Sequence, residues 1–204
     1  SRILPSHLRQ KDKDDKLGIL DVRVLLNNKE QIDIEIQVTA SEYWAERTLF
    51  YLGKMFTDQL KPGEDYQKLE KCIHIGILNF TMFEDEEYYS CFHFWSDKGR
   101  KMYSDKVEIH TLELPKLAKY EYPETELLKW LQFINAETKE EFEMAAEKSE
   151  YIKKAYEDLN RISADEEKRL EYEARERAIR DHQYFSTVYK NTGLKEGITK
   201  TVIE

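Results

Sequence analysis

Asp21 and Glu35, with Gln37 two positions beyond, are the residues whose types and spacing could do chemistry. Glu35 lies in IDIEIQV, residues 32–38, where Ile32, Ile34, Ile36 and Val38 alternate with Asp33, Glu35 and Gln37. Strands disfavour Asp, and closely spaced carboxylates repel, so a strand that carries both accids accepts a cost. Asp21 lies in ILDVRVLL, residues 19–26, where Leu20, Val22, Val24 and Leu26 alternate with Asp21 and Arg23. With NNKEQ as the connecting turn, the two segments predict a hairpin. Side chains alternate across a strand and cross-strand partners share a face. The apolar positions 20, 22, 24 and 26 should therefore pair with 32, 34, 36 and 38 in the core, leaving the polar positions on the opposite face. A turn centred near Asn28 sets Asp21 opposite Glu35 and Arg23 opposite Asp33, with Gln37 one pleat further on. Two carboxylates with Cβ atoms ~4.5 to 5.5 Å apart repel each other but suit a hard divalent cation with oxygen ligands, in outline a Mg²⁺ or Mn²⁺ site. Taken alone, the hairpin fits a solvated polar face better than a metal site.

The elements that must position this hairpin are legible on either side of it. Residues 1–18 are polar and loop-like. SEYWAERTLFYLGKMFTDQL predicts a helix over 41–60, with Ser41 as N-cap and Trp44, Leu52, Met55, Phe56 and Leu60 at helical spacing. KCIHIGILNF, EYYSCFHFW and KVEIHTLEL read as three further strands, separated by EDEE and by SDKGRKMYSD. The aromatic run EYYSCFHFW reads as core rather than a base-stacking platform. Beyond Pro115 and Pro123 the pattern turns helical, first in TELLKWLQFINA and then in one long Ala-, Glu-, Lys- and Arg-rich run.

Composition narrows the classes. Among 204 residues, 40% are hydrophobic and 36% charged, which describes a globular chain long enough for a core domain with a helical appendage. A net charge of −9 gives no blanket attraction to nucleic acid, so any such binding needs a local basic patch or metal ions. No apolar run approaches the ~18 residues of a spanning helix, so no membrane partner is expected. Cys72 and Cys91 are too few for a disulfide framework; they read as small buried hydrophobes, and a reducing cytoplasm is the expected location. His74, His93 and His110 read as ordinary histidines without metal-ligand spacing.

ILDVRV followed by IDIEIQV resembles the D…(D/E)xK core of PD-(D/E)XK nucleases, with Gln in place of Lys. The continuation is more specific: residues 41–80, the later HTLELPKL, and AYEDLNRISADEEKRLEYEARERAIRDH together resemble the PD-(D/E)XK nuclease family transposases of bacteria, also described as recombination-promoting nucleases. The resemblance implies an α/β fold, a restriction-endonuclease-like mixed sheet with flanking helices and a helical C-terminal region. The pass along the chain sets the expected bounds: a polar segment over 1–18, a nuclease-like core over 19–115, a helical region over 116–190 and a flexible tail over 191–204. The resemblance also implies a Mg²⁺- or Mn²⁺-dependent DNA endonuclease of the cytoplasm that leaves a 5′-phosphate and a 3′-hydroxyl. Asp21, Glu35 and the Ile36 carbonyl would hold the metal, and Gln37 would orient the attacking water in place of Lys. Arg47, with Tyr51 and Lys54 on the same helix face, would contact phosphate. Family members begin with a helical segment carrying a further acidic residue and a phenylalanine-rich motif. SRILPSHLRQKDKDDK does not resemble it, so the sequence reads as lacking that segment.

The alternative is a catalytically inactive relative whose helical region mediates homo-oligomerisation or protein binding. On that helix, 151–182 reads as a solvated face or a partner-binding hairpin. Lys168, Arg169, Arg175, Arg177 and Arg180 are offset there by neighbouring Glu residues. For Arg47, an ion pair with Asp33 or a neighbour of Glu46 competes with a phosphate contact.

Overall fold

The computed structural model describes residues 1–4 and 21–164. The chain divides into two compact units, Ser1–Pro123 and Glu124–Glu204. The basic positions 168–180 and the tail from 191 lie outside the described residues.

The first unit is a mixed sheet of six strands with one long helix, in the order β1-β2-β3-β4-β6-β5. Its strands are β1 (Arg2–Leu4), β2 (Val22–Leu25), β3 (Gln31–Gln37), β4 (Cys72–Leu78), β5 (Tyr89–Trp95) and β6 (Met102–Glu113). The β2–β3 hairpin has the expected register, Val22 opposite Ile34 and Arg23 opposite Asp33. Lys29 takes φ 70° in its turn, and its N–H donates to the Leu26 carbonyl at 3.0 Å. β3, β4 and β6 run parallel to one another, and β5 returns antiparallel along the outer edge of β6. Both parallel pairings are bridged by long connections, as parallel neighbours require.

Helix α1 (Trp44–Thr57) crosses from β3 to β4 and packs on one sheet face. Tyr51, Leu52 and Met55 join Cys72 in a buried cluster, with Phe56, Val107 and Ile109 against it. Gly76 is needed where α1 begins: a Cβ there would stand 2.9 Å from Trp44 Cζ2, closer than side chains tolerate. The absent side chain lets the Trp44 ring lie beside β4, opposite Glu35 in the sheet.

Several expectations change. Arg2–Leu4, within the segment read as loop-like, forms an edge strand on β2. Ser41 does not cap α1; Tyr43 occupies that position, and the Ser41 carbonyl accepts from the Trp44 N–H at 3.2 Å. The turn after β5 is shorter than SDKGRKMYSD, because Met102–Asp105 extend β6. Beyond the buried Tyr88, the aromatic run is not core. β5 is the edge strand, and Phe92, Phe94 and Trp95 are 42 to 50% exposed. Cys72 is buried as expected, and burial pushes its thiol up to about 12, but Cys91 is exposed.

The described part of the second unit holds α2 (Glu126–Ile134), α3 (Lys139–Glu147) and α4 (Glu150–Ala164). The run read as one helix breaks after Glu147. Thr125 accepts from the Leu128 N–H, and Thr138 forms a capping box with Glu141, so α2 and α3 each have their own start signal. Phe133, Ala145 and Ile152 form the core, with Phe142 stacked on Tyr156. Among the described residues, no helix is long and apolar enough to cross a membrane.

Candidate active site

The hairpin's two faces are used the other way round from the sequence expectation. Ile32 and Ile34 are only half-buried, Ile36 and Val38 are exposed, and Gln31, Asp33 and Glu35 are buried beneath α1. A face with two carboxylates can be buried because α1 and β4 bring it polar partners. Parallel pairing sets His74 beside Asp33 and Gly76 beside Glu35. The first turns of α1 place Arg47 and Thr48 above them.

Each acid has its own partner. Glu35 Oε1 pairs with the Arg47 guanidinium, and Glu35 Oε2 is buried with no hydrogen-bond partner. Asp33 Oδ2 lies 2.8 Å from His74 Nδ1, and Asp33 Oδ1 is likewise buried without one. His74 Nε2 is 3.5 Å from Thr48 Oγ. The two ring nitrogens of His74 thus bridge Asp33 and Thr48. Arg47 therefore pairs with Glu35, not Asp33. Arg23 stands opposite Asp33 but donates to Gln31 Oε1 at 2.5 Å, and burial lowers its pKa.

Asp21 stands just before β2, exposed, one step from the Val22–Ile34 pair and so opposite Glu35 in the extended register. Its Oδ2 accepts from the Ile36 N–H at 3.1 Å. Gln37 shares the Glu35 face, but its amide donates to the Thr39 carbonyl at 2.9 Å. The Arg47 guanidinium lies 5.5 Å from the centre of the Tyr51 ring. Tyr51 is buried, and Lys54 is half-buried in the last turn of the same helix.

Burial pushes the Glu35 carboxyl above the ordinary carboxylate range; Arg47 and His74 oppose this, and Asp21 and Asp33 add to it. The folded state therefore holds this proton to higher pH than the unfolded chain does. Stability contributed by Glu35 falls as pH rises from the ordinary carboxylate value to the raised one. In thermal unfolding across that window, the wild type should lose stability relative to Glu35→Gln as pH rises. A pH-independent difference would contradict the assignment.

The residue types suit a cation. Asp33, Glu35 and His74 offer donor atoms that all lie within 4.8 Å of one another. The His74 nitrogens are already engaged by Asp33 and Thr48. Glu35 Oε2 and Asp33 Oδ1 are the two buried acceptors of this cluster that have no protein hydrogen-bond partner. His74 and Asp33 were passed over in the sequence because their meeting depends on the parallel β3–β4 register, which no local pattern announces. Thr48 has no sequence signal beyond its place one residue after Arg47.

A family model described as PD-(D/E)XK nuclease family transposase matches residues 2–187. No curated protein and no solved structure gave a significant match. The mixed six-stranded sheet with α1 packed on one face accords with the restriction-endonuclease-like fold of such nucleases. With a match over most of its length, the chain belongs to the PD-(D/E)XK nuclease family transposases.

Proposed function

We propose that this chain is a DNA endonuclease that hydrolyses phosphodiester bonds with Mg²⁺ or Mn²⁺ held by Asp21, Glu35 and the Ile36 carbonyl. The observation that carries this reading is the Glu35 carboxylate, opposite Asp21 across the hairpin and with Oε2 buried and unpartnered. A divalent ion there would lower the pKa of water and neutralise charge on the phosphodiester. In extended backbone the N–H and C=O of one residue project to the same edge. The Ile36 N–H meets Asp21, so its carbonyl faces that strand as well. Gln37 has a carbonyl oxygen suited to accept from the attacking water but adds no charge, so more of the charge stabilisation falls on Arg47 and the ion. The Arg47 side chain is 41% exposed and spends one nitrogen on Glu35, which leaves other N–H donors of its fork for phosphate. Tyr51 holds the guanidinium in place, and Lys54 extends the cationic helix face.

A second reading has its own support. Arg47, the Ile36 N–H and the Thr39 carbonyl already satisfy Glu35, Asp21 and Gln37 in part, as in a hairpin stabilised by internal pairs and no longer catalytic.

Thermal denaturation of the wild type and Asp21→Asn, in EDTA and in millimolar Mn²⁺, separates the two. Without metal, Asp21→Asn should be the more stable by less than about 1 kcal/mol, since it relieves like-charge repulsion at an exposed position. Mn²⁺ at a hundred times its Kd should stabilise the wild type by about 2.7 kcal/mol and the variant much less. Equal melting of both proteins under both conditions would remove the metal site.

A further inference from the structure

β5 is the last strand of the sheet, and among the described residues no strand pairs with its outer side. The Glu113 N–H donates to the Tyr88 carbonyl at 2.8 Å, which fixes the hydrogen-bond phase of the antiparallel β5–β6 ladder. Ser90 and Phe92 then turn their N–H and C=O groups toward β6, and Tyr89, Cys91 and His93 turn theirs outward along the open edge. The strand carries none of the devices that blunt an edge: YSCFHFW has no Pro and no Asp, Glu, Lys or Arg. The register shift between Phe92 and Phe94 is taken up on β6, which runs from Ile109 to Ser104 over the same step, so β5 itself continues unbroken. Its side chains are aromatic and half-exposed at Phe92, Phe94 and Trp95.

The two ends of this strand carry opposite charge. Glu84, Asp85, Glu86 and Glu87 precede it; Asp85 pairs with Lys116, while Glu84, Glu86 and Glu87 stand exposed. Lys98, Arg100 and Lys101 follow it, also exposed, in a turn closed by the Ser96 N–H on the Lys101 carbonyl at 2.9 Å. Asp97 offsets part of that charge, and the turn remains net positive. A strand that adds antiparallel from a second copy brings its acidic end to the basic turn of the first, and its basic turn to the acidic end. A polyanion laid along the same edge meets the acidic end as well as the basic one, so the charge pattern favours another copy of this chain over nucleic acid.

We propose that the β5 edge is a homodimer interface, in which two copies pair β5 with β5 antiparallel about a two-fold axis and join their sheets into one. Phe92 is the middle residue of the strand. An axis there pairs every position, with Phe92 opposite Phe92, Tyr89 opposite Trp95 and Cys91 opposite His93. The outward groups of Cys91 and His93 then meet each other, as the hydrogen-bond phase requires, and Tyr89 and Trp95 form an aromatic cross-strand pair on each side of the axis. The interface is isologous, so it closes at two copies rather than propagating.

Sedimentation of the full chain over a concentration series at low ionic strength should show a species of twice the mass of one chain. Cys91 is exposed and Cys72 is buried, so a thiol cross-linker reports on β5. In the proposed register the two Cys91 residues are diagonal neighbours, roughly 7 to 8 Å apart. A short bismaleimide should therefore link two copies, and Cys91→Ser should abolish the link. Cys91→Pro removes one outward N–H and leaves the β6 ladder intact, so it should weaken the dimer at least about tenfold. Two charge variants, checked for folding by circular dichroism, test the antiparallel arrangement. One combines Glu84→Lys, Glu86→Lys and Glu87→Lys; the other combines Lys98→Glu, Arg100→Glu and Lys101→Glu. Each alone sets like charges together and should dimerise at least about tenfold more weakly, whereas an equimolar mixture should recover the wild-type dimer. A wild type that stays monomeric throughout the series overturns the proposal and leaves the edge to another segment of the chain or to another partner. A dimer that gives no Cys91 cross-link, or that forms equally well in both charge variants, overturns it too.

Discussion

Lys116→Met should cost the protein about 3 kcal/mol or more in urea unfolding, the largest stability loss expected of any single polar substitution in the first unit. Lys116 is 1% exposed, and its ammonium donates to Glu113 Oε1 at 3.0 Å, to Asp85 Oδ1 at 3.1 Å and to the Glu87 carbonyl at 2.9 Å. Burial works against the charge, but Glu113 and Asp85 outweigh it and hold the Lys116 pKa above the ordinary lysine value. Glu113, also 1% exposed, accepts from the Met82 and Phe83 N–H groups through its other oxygen. The pair therefore pins the loop between β4 and β5 to the end of β6. Removing one member of a buried pair leaves an uncompensated charge, at a cost of about 3 to 5 kcal/mol. The Met82 and Phe83 donors place this case near the lower end. Adding Glu113→Gln to Lys116→Met should recover part of the loss, because the stranded charge is then gone. A loss below about 1 kcal/mol for Lys116→Met would show that the carboxylate is solvated after all.

Glu35→Ala should lower DNA cleavage at least about a thousandfold, the largest effect on activity. Charge stabilisation by a bound divalent ion is worth several kcal/mol in the transition state, and each 1.36 kcal/mol is about tenfold in rate. Losing the buried carboxylate removes the innermost ligand of the proposed site and the anchor of Arg47 together. Arg47 is exposed enough to find water once Glu35 is gone, so the variant should remain folded. Rates under single-turnover conditions measure this. A folded Glu35→Ala protein that cleaves within tenfold of the wild type would remove Glu35 from the mechanism.

The hairpin was legible because two local rules agree on it. Period-two alternation and a turn centred at Asn28 together fix Arg23 against Asp33, and the structure has that register. The buried face was not legible, because the period shows two faces without saying which one a helix will cover. Burial of Asp33 and Glu35 depends on His74, which the parallel β3–β4 pairing brings beside Asp33, and on Arg47, which α1 brings to Glu35. The aromatic strand misled for a related reason: Tyr89–Trp95 has a core-like pattern, but its place at the sheet edge follows from strand order. Helix starts were local where a side chain caps them, as at Thr125 and Thr138. The start of α1 was not, because Tyr43 stands at its N-cap with no side-chain cap hydrogen bond to announce it.

The most direct measurement is nicking of supercoiled plasmid by the wild type in Mg²⁺, in Mn²⁺ and in EDTA, beside Asp21→Ala. Cleavage in either metal, none in EDTA and none by Asp21→Ala is the predicted result. A folded wild type that cuts in neither metal, or cleavage that survives both EDTA and Asp21→Ala, would contradict a metal-dependent nuclease built on Asp21 and Glu35.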